Sequence, residues 1–174
     1  MSEPSFGDVT GEYLALRSAA AVVRPAHEIV WVRGPAAVSF LDGLLSQDIA
    51  GIPEGGVARS FLLEPGGKLA SMVWVLRGPG EAGLAADPGG GEALAAALAR
   101  FRFRVEATIE AGDPASEVWG PASAAVLESA GVEAPAGWGW DDAGPVAAMP
   151  LGGLPRYLVP AAVAEYVEEK GLYR

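Results

Sequence analysis

The sequence contains no cysteine and a single histidine, His27, among its 174 residues. Without thiols the chain cannot form disulfides, use a cysteine nucleophile or hold an iron–sulfur cluster through its own side chains. A single histidine also excludes zinc sites built from several imidazoles. The sequence leaves open a site made only of carboxylates, but no run of Asp and Glu has the spacing of a calcium loop, so we expect no bound metal.

Positive charge is scarce as well, with 12 Lys and Arg against 22 Asp and Glu and a net charge of −10. Such a field repels the phosphates of nucleic acid, so we expect no nucleic-acid partner. Long apolar runs are missing: the Ala-rich stretch at residues 18–23 is too short to span a bilayer. The N-terminus also lacks the basic and apolar regions of a signal peptide. We therefore expect a cytoplasmic protein without a membrane partner.

The remaining composition is that of a globular protein, with 51% hydrophobic and 20% charged residues. A chain of this length is sufficient for one well-buried domain. No extended linker divides it, so we expect a single domain over residues 1–174. The 24 glycines and 14 prolines indicate many turns.

The apolar pattern predicts strands mixed with helices. Residues 28–33 are rich in β-branched and aromatic side chains, which is typical of a strand. Val38, Leu41 and Leu45 then recur at helical spacing after Gly34. Further strands are predicted at 57–63, 68–76, 83–86, 102–109, 146–149 and 156–159, and one more strand ends at Trp119. Further helices are predicted at 10–20, 92–99 and 122–129, and a last helix begins at Pro160.

Two local features set the expected topology. Pro65, Gly66 and Gly67 supply turn residues between two strands, which should therefore form a hairpin. Trp31–Leu41 and Val118–Leu127 both read as strand, Gly-Pro-Ala and helix, and we favour an internal repeat over chance recurrence in an alanine-rich chain. Together these features indicate an α+β fold, in which a mixed, open sheet packs against helices.

Three segments carry a resemblance to a known family. Phe40–Ile49, Ser60–Leu69 and Arg100–Glu106, in this order, resemble the folate-binding domain of aminomethyltransferases (the glycine-cleavage T-proteins) and of the related YgfZ-type factors of iron–sulfur protein maintenance. The resemblance implies tetrahydrofolate or a related folate as cofactor, in a central cavity that a C-terminal barrel completes. The chain lacks the cysteine-containing signature of the YgfZ branch, and we expect it to be the N-terminal domain without the barrel.

The resemblance also implies which residues would contact the folate. The transferases carry acidic residues just after the hairpin glycines, one of them catalytic, and this chain has Ala70, Ser71 and Met72 there. None of these side chains can act as a carboxylate base, so we expect no catalytic residue and no transferase activity. A folate-contacting asparagine of the family aligns with Ala86 or Asp87. We take Met72 and Asp87 as cofactor-binding candidates.

Guanidinium groups alternate with apolar side chains over residues 100–105. A period of two would put Arg100, Arg102 and Arg104 on one face of a strand. There they could bind an anion such as the glutamate tail of a folate, because arginine binds carboxylates through paired hydrogen bonds. We include them among the cofactor-binding candidates. The alternative, which we favour, is a solvated strand face paired with Glu106 or Glu110.

Four other features each have a functional and a structural interpretation. Gln47 and Asp48 could line the folate cavity and are cofactor-binding candidates, but such a pair more often ends a helix. His27 has no visible catalytic partner, so we expect a surface or hydrogen-bonded structural histidine. Lys68 could reach an anion, although an exposed turn residue is the better interpretation. The aromatic loop Trp138–Asp142 could anchor a partner protein or fold back over the core.

These observations favour a non-catalytic folate-binding protein, which the YgfZ resemblance connects with iron–sulfur protein maintenance. The alternative is a structural or accessory subunit of a larger folate-dependent complex, for which the gamma subunit of heterotetrameric sarcosine oxidase is the family precedent. We expect a homo-oligomer or a complex with a partner chain, because a domain of this family without its barrel exposes the surface that the barrel would cover.

Overall fold

Two long strands, β1 (Ala21–Arg33) and β5 (Thr108–Trp119), lie side by side at the centre of one sheet. They belong to a computed structural model that describes residues 7–149 and 153–171. Many of their residues are β-branched or aromatic, and such side chains suit a pleated, half-buried surface. The other strands are β2 (Val57–Leu63), β3 (Leu69–Gly78), β4 (Glu81–Ala86), β6 (Trp138–Asp141), β7 (Gly144–Ala148) and β8 (Arg156–Pro160), and the helices are α1 (Val9–Ser18), α2 (Ala37–Asp42), α3 (Gly91–Ala99), α4 (Ser123–Ser129) and α5 (Ala161–Glu169).

The sheet is antiparallel throughout its described strand pairs, in the order β2-β3-β4-β1-β5-β8-β7-β6. This corrects the mixed, open sheet predicted from the sequence. Tight turns join β2 to β3, β3 to β4 and β6 to β7, and strands joined in this way pair antiparallel.

The two ends of the sheet come close together, so that the sheet is nearly closed. At the start of β6 the Trp138 N–H donates to the carbonyl of Gly55, just before β2, over 2.9 Å. The Gly55 N–H in turn donates to the carbonyl of Arg77 in β3, over 2.8 Å. The Trp138 indole N–H donates to the same carbonyl over 2.7 Å. These bonds tie the last strand of the sheet to the β2–β3 side.

Most predicted elements are present with shifted bounds. The β2–β3 hairpin forms around Gly66 and Gly67, which confirms that prediction, and the predicted helices correspond to α1 to α5. Two predictions are wrong. Residues 102–107 do not form a strand, which begins only at Thr108, and Trp138–Asp141 forms β6 rather than a loop.

The two Gly-Pro-Ala segments form similar turns after β1 and β5. Gly34 has φ 127° and Gly120 has φ 116°, a conformation that side chains other than glycine rarely adopt. In each turn the glycine carbonyl accepts a hydrogen bond of 3.0 Å from the residue three positions on, Ala37 or Ser123. These bonds concern the turns alone, and the predicted repeat of whole strand–helix units stays a prediction.

The hydrophobic core has two sides because successive strand residues point to opposite faces. On the outer face Val30 and Val32 pack with α2 and α3, and a second cluster packs against α4 and α5. On the other face Ile29 and Trp31 pack with residues of β3, β4, β5, β6, β7 and β8 and of no helix. We call this face, enclosed by the sheet itself, the inner face. Among the described residues, no helix has the length and hydropathy needed to cross a membrane.

Candidate functional site

Three ionisable side chains meet on three adjacent strands. Glu117 of β5 lies between His27 of β1 and Arg156 of β8, and its side chain is 1% exposed. His27 Nε2 lies 2.7 Å from Glu117 Oε1, Arg156 Nε donates to Oε2 over 2.8 Å, and Arg156 Nη2 donates to Oε1. The indole N–H of Trp119 also donates to Oε2. We call Glu117, His27 and Arg156 the buried ion cluster.

The surroundings of Glu117 keep its carboxylate charged. Burial by itself raises the pKa of Glu117, but hydrogen bonds and positive charge from His27 and Arg156 outweigh it, so that the pKa is lowered from its ordinary value of 4.5. Arg156 is also in contact with two indoles. Its guanidinium carbon lies 4.6 Å from the ring centroid of Trp119 and 5.8 Å from that of Trp74. Such cation–π contacts stabilise a charge held away from water.

Both ring nitrogens of His27 face hydrogen-bond acceptors. Nδ1 lies 2.8 Å from the carbonyl of Ala86 at the end of β4, and Nε2 faces the carboxylate of Glu117. A doubly protonated ring donates to both, whereas a neutral ring donates to Ala86 and accepts from Arg156 Nη2, 3.1 Å away. The doubly protonated ring thus links β4 to β5, and the neutral ring links β4 to β8. Of the two interpretations that the sequence left open, a surface or a structural histidine, the structure shows the buried, hydrogen-bonded one.

The buried ion cluster is saturated by its own donors. The Glu117 carboxylate receives hydrogen bonds from three side chains, so it is poorly placed to accept a proton from a substrate. Within residues 7–149 and 153–171, no three potential ligand side chains come together to hold a metal ion. The cluster therefore forms a fixed, polar part of the inner face and has a structural role.

Met72 and Asp87, two of the predicted cofactor-binding residues, lie close to this cluster. Val73 and Ala86 form the last β3–β4 ladder pair, and Met72 and Asp87 are the next residues on either chain segment. The carbonyl of Ala86 is the acceptor of His27. Both predicted side chains are exposed, so they stand at the solvent-facing edge of the region whose buried part is the ion cluster.

An arginine that the sequence analysis did not single out adjoins Met72. Arg59 of β2 is exposed, and its Nη2 lies 2.9 Å from the Met72 sulfur. Its guanidinium carbon is 5.5 Å from the ring centroid of Trp74. Because Arg156 also lies over Trp74, this indole has a cation from β2 and another from β8 as neighbours.

Four apolar side chains form an exposed strip on the β2–β3 hairpin. Phe61 pairs with Met72 and Leu63 with Leu69 in the ladder. Their exposed fractions are 40% for Phe61, 37% for Met72, 41% for Leu63 and 59% for Leu69. We call these residues the hairpin strip.

Gln47 and Asp48 lie in the turn that follows α2, where both are exposed. The Gln47 N–H donates to the hydroxyl of Ser60 over 3.1 Å, and Asp48 Oδ1 accepts from the N–H of Gly51 over 2.8 Å. Asp48 therefore stabilises a local turn, in the manner typical of aspartate side chains. Cofactor binding by these two residues stays a prediction.

The arginines at 100, 102 and 104 do not share a strand face, because this segment is irregular. Arg102 Nη1 donates to the carbonyl of Ala107 over 3.0 Å, while Arg104 has φ 57° and lies over the ring of Phe103. Arg104 lines a shallow hollow with Ala36, next to the end of β1 that pairs with Glu81. Met72 and Asp87 adjoin the other end of this pairing, so the structure separates them from Arg104.

The sequence analysis missed Glu117 and Arg156. The available signal is a glutamate that directly precedes Val118 and Trp119 at the end of a predicted strand, because a charge in a buried strand needs a partner. The partners could not be named from the sequence, since His27 and Arg156 lie far away in the chain and reach Glu117 only through strand pairing.

The fold is shared with a solved aminomethyltransferase. The chain matches the glycine cleavage system aminomethyltransferase T from Bartonella henselae with a TM-score of 0.77 and 24% identity, over 92% of its own length and 47% of that structure. It therefore spans about half the length of the solved protein. The chain also aligns with the regulatory subunit of aspartate kinase from Thermus flavus, with a TM-score of 0.42 and 11% identity over 88% of this chain and 97% of that one. A TM-score this low does not show a shared fold. No protein-family model and no curated protein matches the chain.

Replacing Glu117 with Gln should lower the free energy of unfolding by about 3 kcal/mol, because the buried guanidinium of Arg156 loses its counter-charge. Urea titration at neutral pH measures this change. Glu110→Gln is the matched control: its carboxylate pairs with Arg33 but is 52% exposed, and we expect a change within about 1 kcal/mol. Equal losses in the two variants would contradict the importance of the buried ion cluster.

The stabilisation by Glu117 should also fall with acid. The unfolded chain takes up a proton at Glu117 near pH 4.5, whereas the folded protein does so only at lower pH. The stabilisation is thus fully present above about pH 5 and is lost as the pH falls through the folded pKa. Urea unfolding of wild type and Glu117→Gln from neutral pH to about pH 3 should give a shrinking difference. A difference that grows toward acid would disprove this assignment.

Proposed function

We propose that this chain is a non-catalytic folate-binding domain with the fold of aminomethyltransferase T. The observation that carries the proposal is the position of Met72 and Asp87, side by side at the edge of the inner face and next to the buried ion cluster. By the resemblance in sequence, Met72 is one of the positions at which the transferases carry acidic residues, and Ala86 or Asp87 aligns with their folate-contacting asparagine. The shared fold with the aminomethyltransferase from Bartonella henselae supports it.

The chemistry of this region suits the two ends of a folate. Asp87 can accept hydrogen bonds from the N–H groups of a pterin ring. Arg59 is exposed beside Met72 and can pair with a carboxylate of the glutamate tail. Trp74, which already has two guanidinium neighbours, offers a flat apolar surface between them.

Catalysis is not part of the proposal. Ala70 and Ser71, together with Met72, take the positions at which the resemblance expects acidic residues, and none of the three side chains can serve as a carboxylate base. The buried carboxylate nearby, Glu117, is occupied by its own donors. A role in iron–sulfur protein maintenance, which the YgfZ resemblance implies, would act through the bound folate or a partner, because the chain has no cysteine.

Calorimetric titration with 5-formyltetrahydrofolate should show saturable binding to the purified chain. Asp87→Ala should weaken it by about tenfold, because a hydrogen bond to a charged group contributes roughly 1.5–3 kcal/mol. Asp8→Ala is the matched control, since Asp8 is an exposed aspartate outside the candidate site, and its Oδ1 accepts a hydrogen bond from the N–H of Gly11 over 2.9 Å. Absence of binding at millimolar ligand, or equal affinities of the two variants, would overturn the proposal.

A second candidate function rests on the hairpin strip. Its four apolar side chains adjoin one another and are between 37% and 59% exposed, and contiguous exposed apolar surface is typical of an interface. Under this alternative the chain is a structural or accessory subunit, as the sarcosine oxidase resemblance implies. The strip would then be covered by a second copy of the chain.

Light scattering of the purified protein should give the mass of a dimer if this alternative holds. Leu69→Asp should then convert the dimer to a monomer, because it places a charge in the apolar contact. Leu14→Asp on α1 is the matched control, since Leu14 is 57% exposed and lies outside the strip. A monomer at every concentration would contradict self-association through the strip.

A further inference from the structure

A cleft of about 530 Å³ opens on the inner face. Ile29, Trp31 and Arg33 of β1 line it together with Trp140 of β6, and parts of β5, the β6–β7 turn and the start of α5 complete it. The volume lies within the range of roughly 300–1,000 Å³ that is usual for small-molecule pockets. We call this space the indole cleft.

Two stacked indoles give the cleft a flat aromatic surface. The ring centroids of Trp31 and Trp140 are 5.0 Å apart, and their planes make an angle of 25°. Trp31 is 5% exposed and forms the buried layer, whereas Trp140 is 55% exposed. An indole that is stacked on one side and more than half exposed can receive another planar ring.

Small residues line the cleft next to the Trp31 ring. A Cβ at Gly112 would lie 3.2 Å from atoms of the Trp31 ring and 3.0 Å from the carbonyl of Ile29. Ala111, Ala115 and Ala143 also line the cleft. The absence of longer side chains at these positions leaves the space beside the rings open.

The charges at the cleft select against ionic ligands. Arg33 donates to Glu81 through Nε over 2.9 Å and to Glu110 through Nη1 over 2.6 Å, so one cation faces two carboxylates. An anion therefore gains no net attraction, and the whole chain carries a net charge of −10. A cationic ligand would compete with the Arg33 guanidinium, which already lies 4.9 Å from the ring centroid of Trp31.

We propose that the indole cleft binds a neutral, planar, fused-ring heteroaromatic group such as a purine base. The ring stacks on Trp140. Nη2 of Arg33, which takes part in neither ion pair, donates to a carbonyl oxygen or ring nitrogen of the ligand. The two carboxylates hold the guanidinium in place for this bond. The site is separate from Met72 and Asp87 and does not depend on the folate proposal.

Adenosine is the probe, because it is neutral and lacks the pteridine of a folate. Tryptophan fluorescence and the indole N–H resonances in NMR spectra should report saturable binding to the full chain. Trp140→Ala should weaken it by about tenfold, since stacking on one aromatic ring contributes that much. Phe103→Ala is the matched control: it removes an aromatic ring that is 79% exposed and outside the cleft.

Adenosine monophosphate tests whether the cleft disfavours anions, and it should bind more weakly than adenosine. Circular dichroism tests whether each variant is folded. If Trp140→Ala is unfolded, the binding measurement is made with Trp140→Leu instead. No saturation up to the solubility limit of adenosine, or equal affinity after Trp140 is replaced, would overturn the site. Tighter binding of the monophosphate would overturn its assignment to neutral rings.

Discussion

The burial of a single carboxylate constrains the centre of this protein. Glu117 is almost inaccessible to water, and a charge in such a place is tolerated only when it is paired and hydrogen-bonded. Its partners come from the strands on either side of β5, with His27 on β1 and Arg156 on β8. A slip of one residue in either pairing would turn a partner to the opposite face. The ion cluster thus specifies the register of the three central strands.

The same cluster limits which polar groups of the inner face remain free. Its polar atoms are already satisfied by one another, so the interior behind Glu117 offers few free groups for recognition. Free polar and aromatic groups lie instead outside it. Asp87 and Arg59 are exposed near the cluster, and Trp140 lines a separate cleft on the inner face. The buried ion cluster therefore supports the strands on which these exposed side chains lie.

Local features of the fold could be predicted from the sequence, and features that depend on distant pairing could not. Gly66 and Gly67 predict the β2–β3 hairpin because turn chemistry is local. The alternation of arginine and apolar residues at 100–105 predicts a strand. Phe101 and Phe103 are 42% and 79% exposed, however, so they do not gain the burial in a core that would stabilise a strand. For the site, the resemblance gives Met72 and Asp87 as folate-binding candidates, which stay a prediction, whereas Arg156 has no local signal that connects it with Glu117.

The contact between Gly55 and Trp138 joins segments that are far apart in the chain, as does the pairing of β1 with β5. Contacts of this kind form late, because large loops must close before they gain any stabilisation. The hairpins β2–β3–β4 and β6–β7 can form earlier from local turns. Until the sheet curls, β2 and β6 present unpaired backbone groups that can pair with another chain. We therefore expect this protein to be most prone to aggregation before the two ends of the sheet meet during folding.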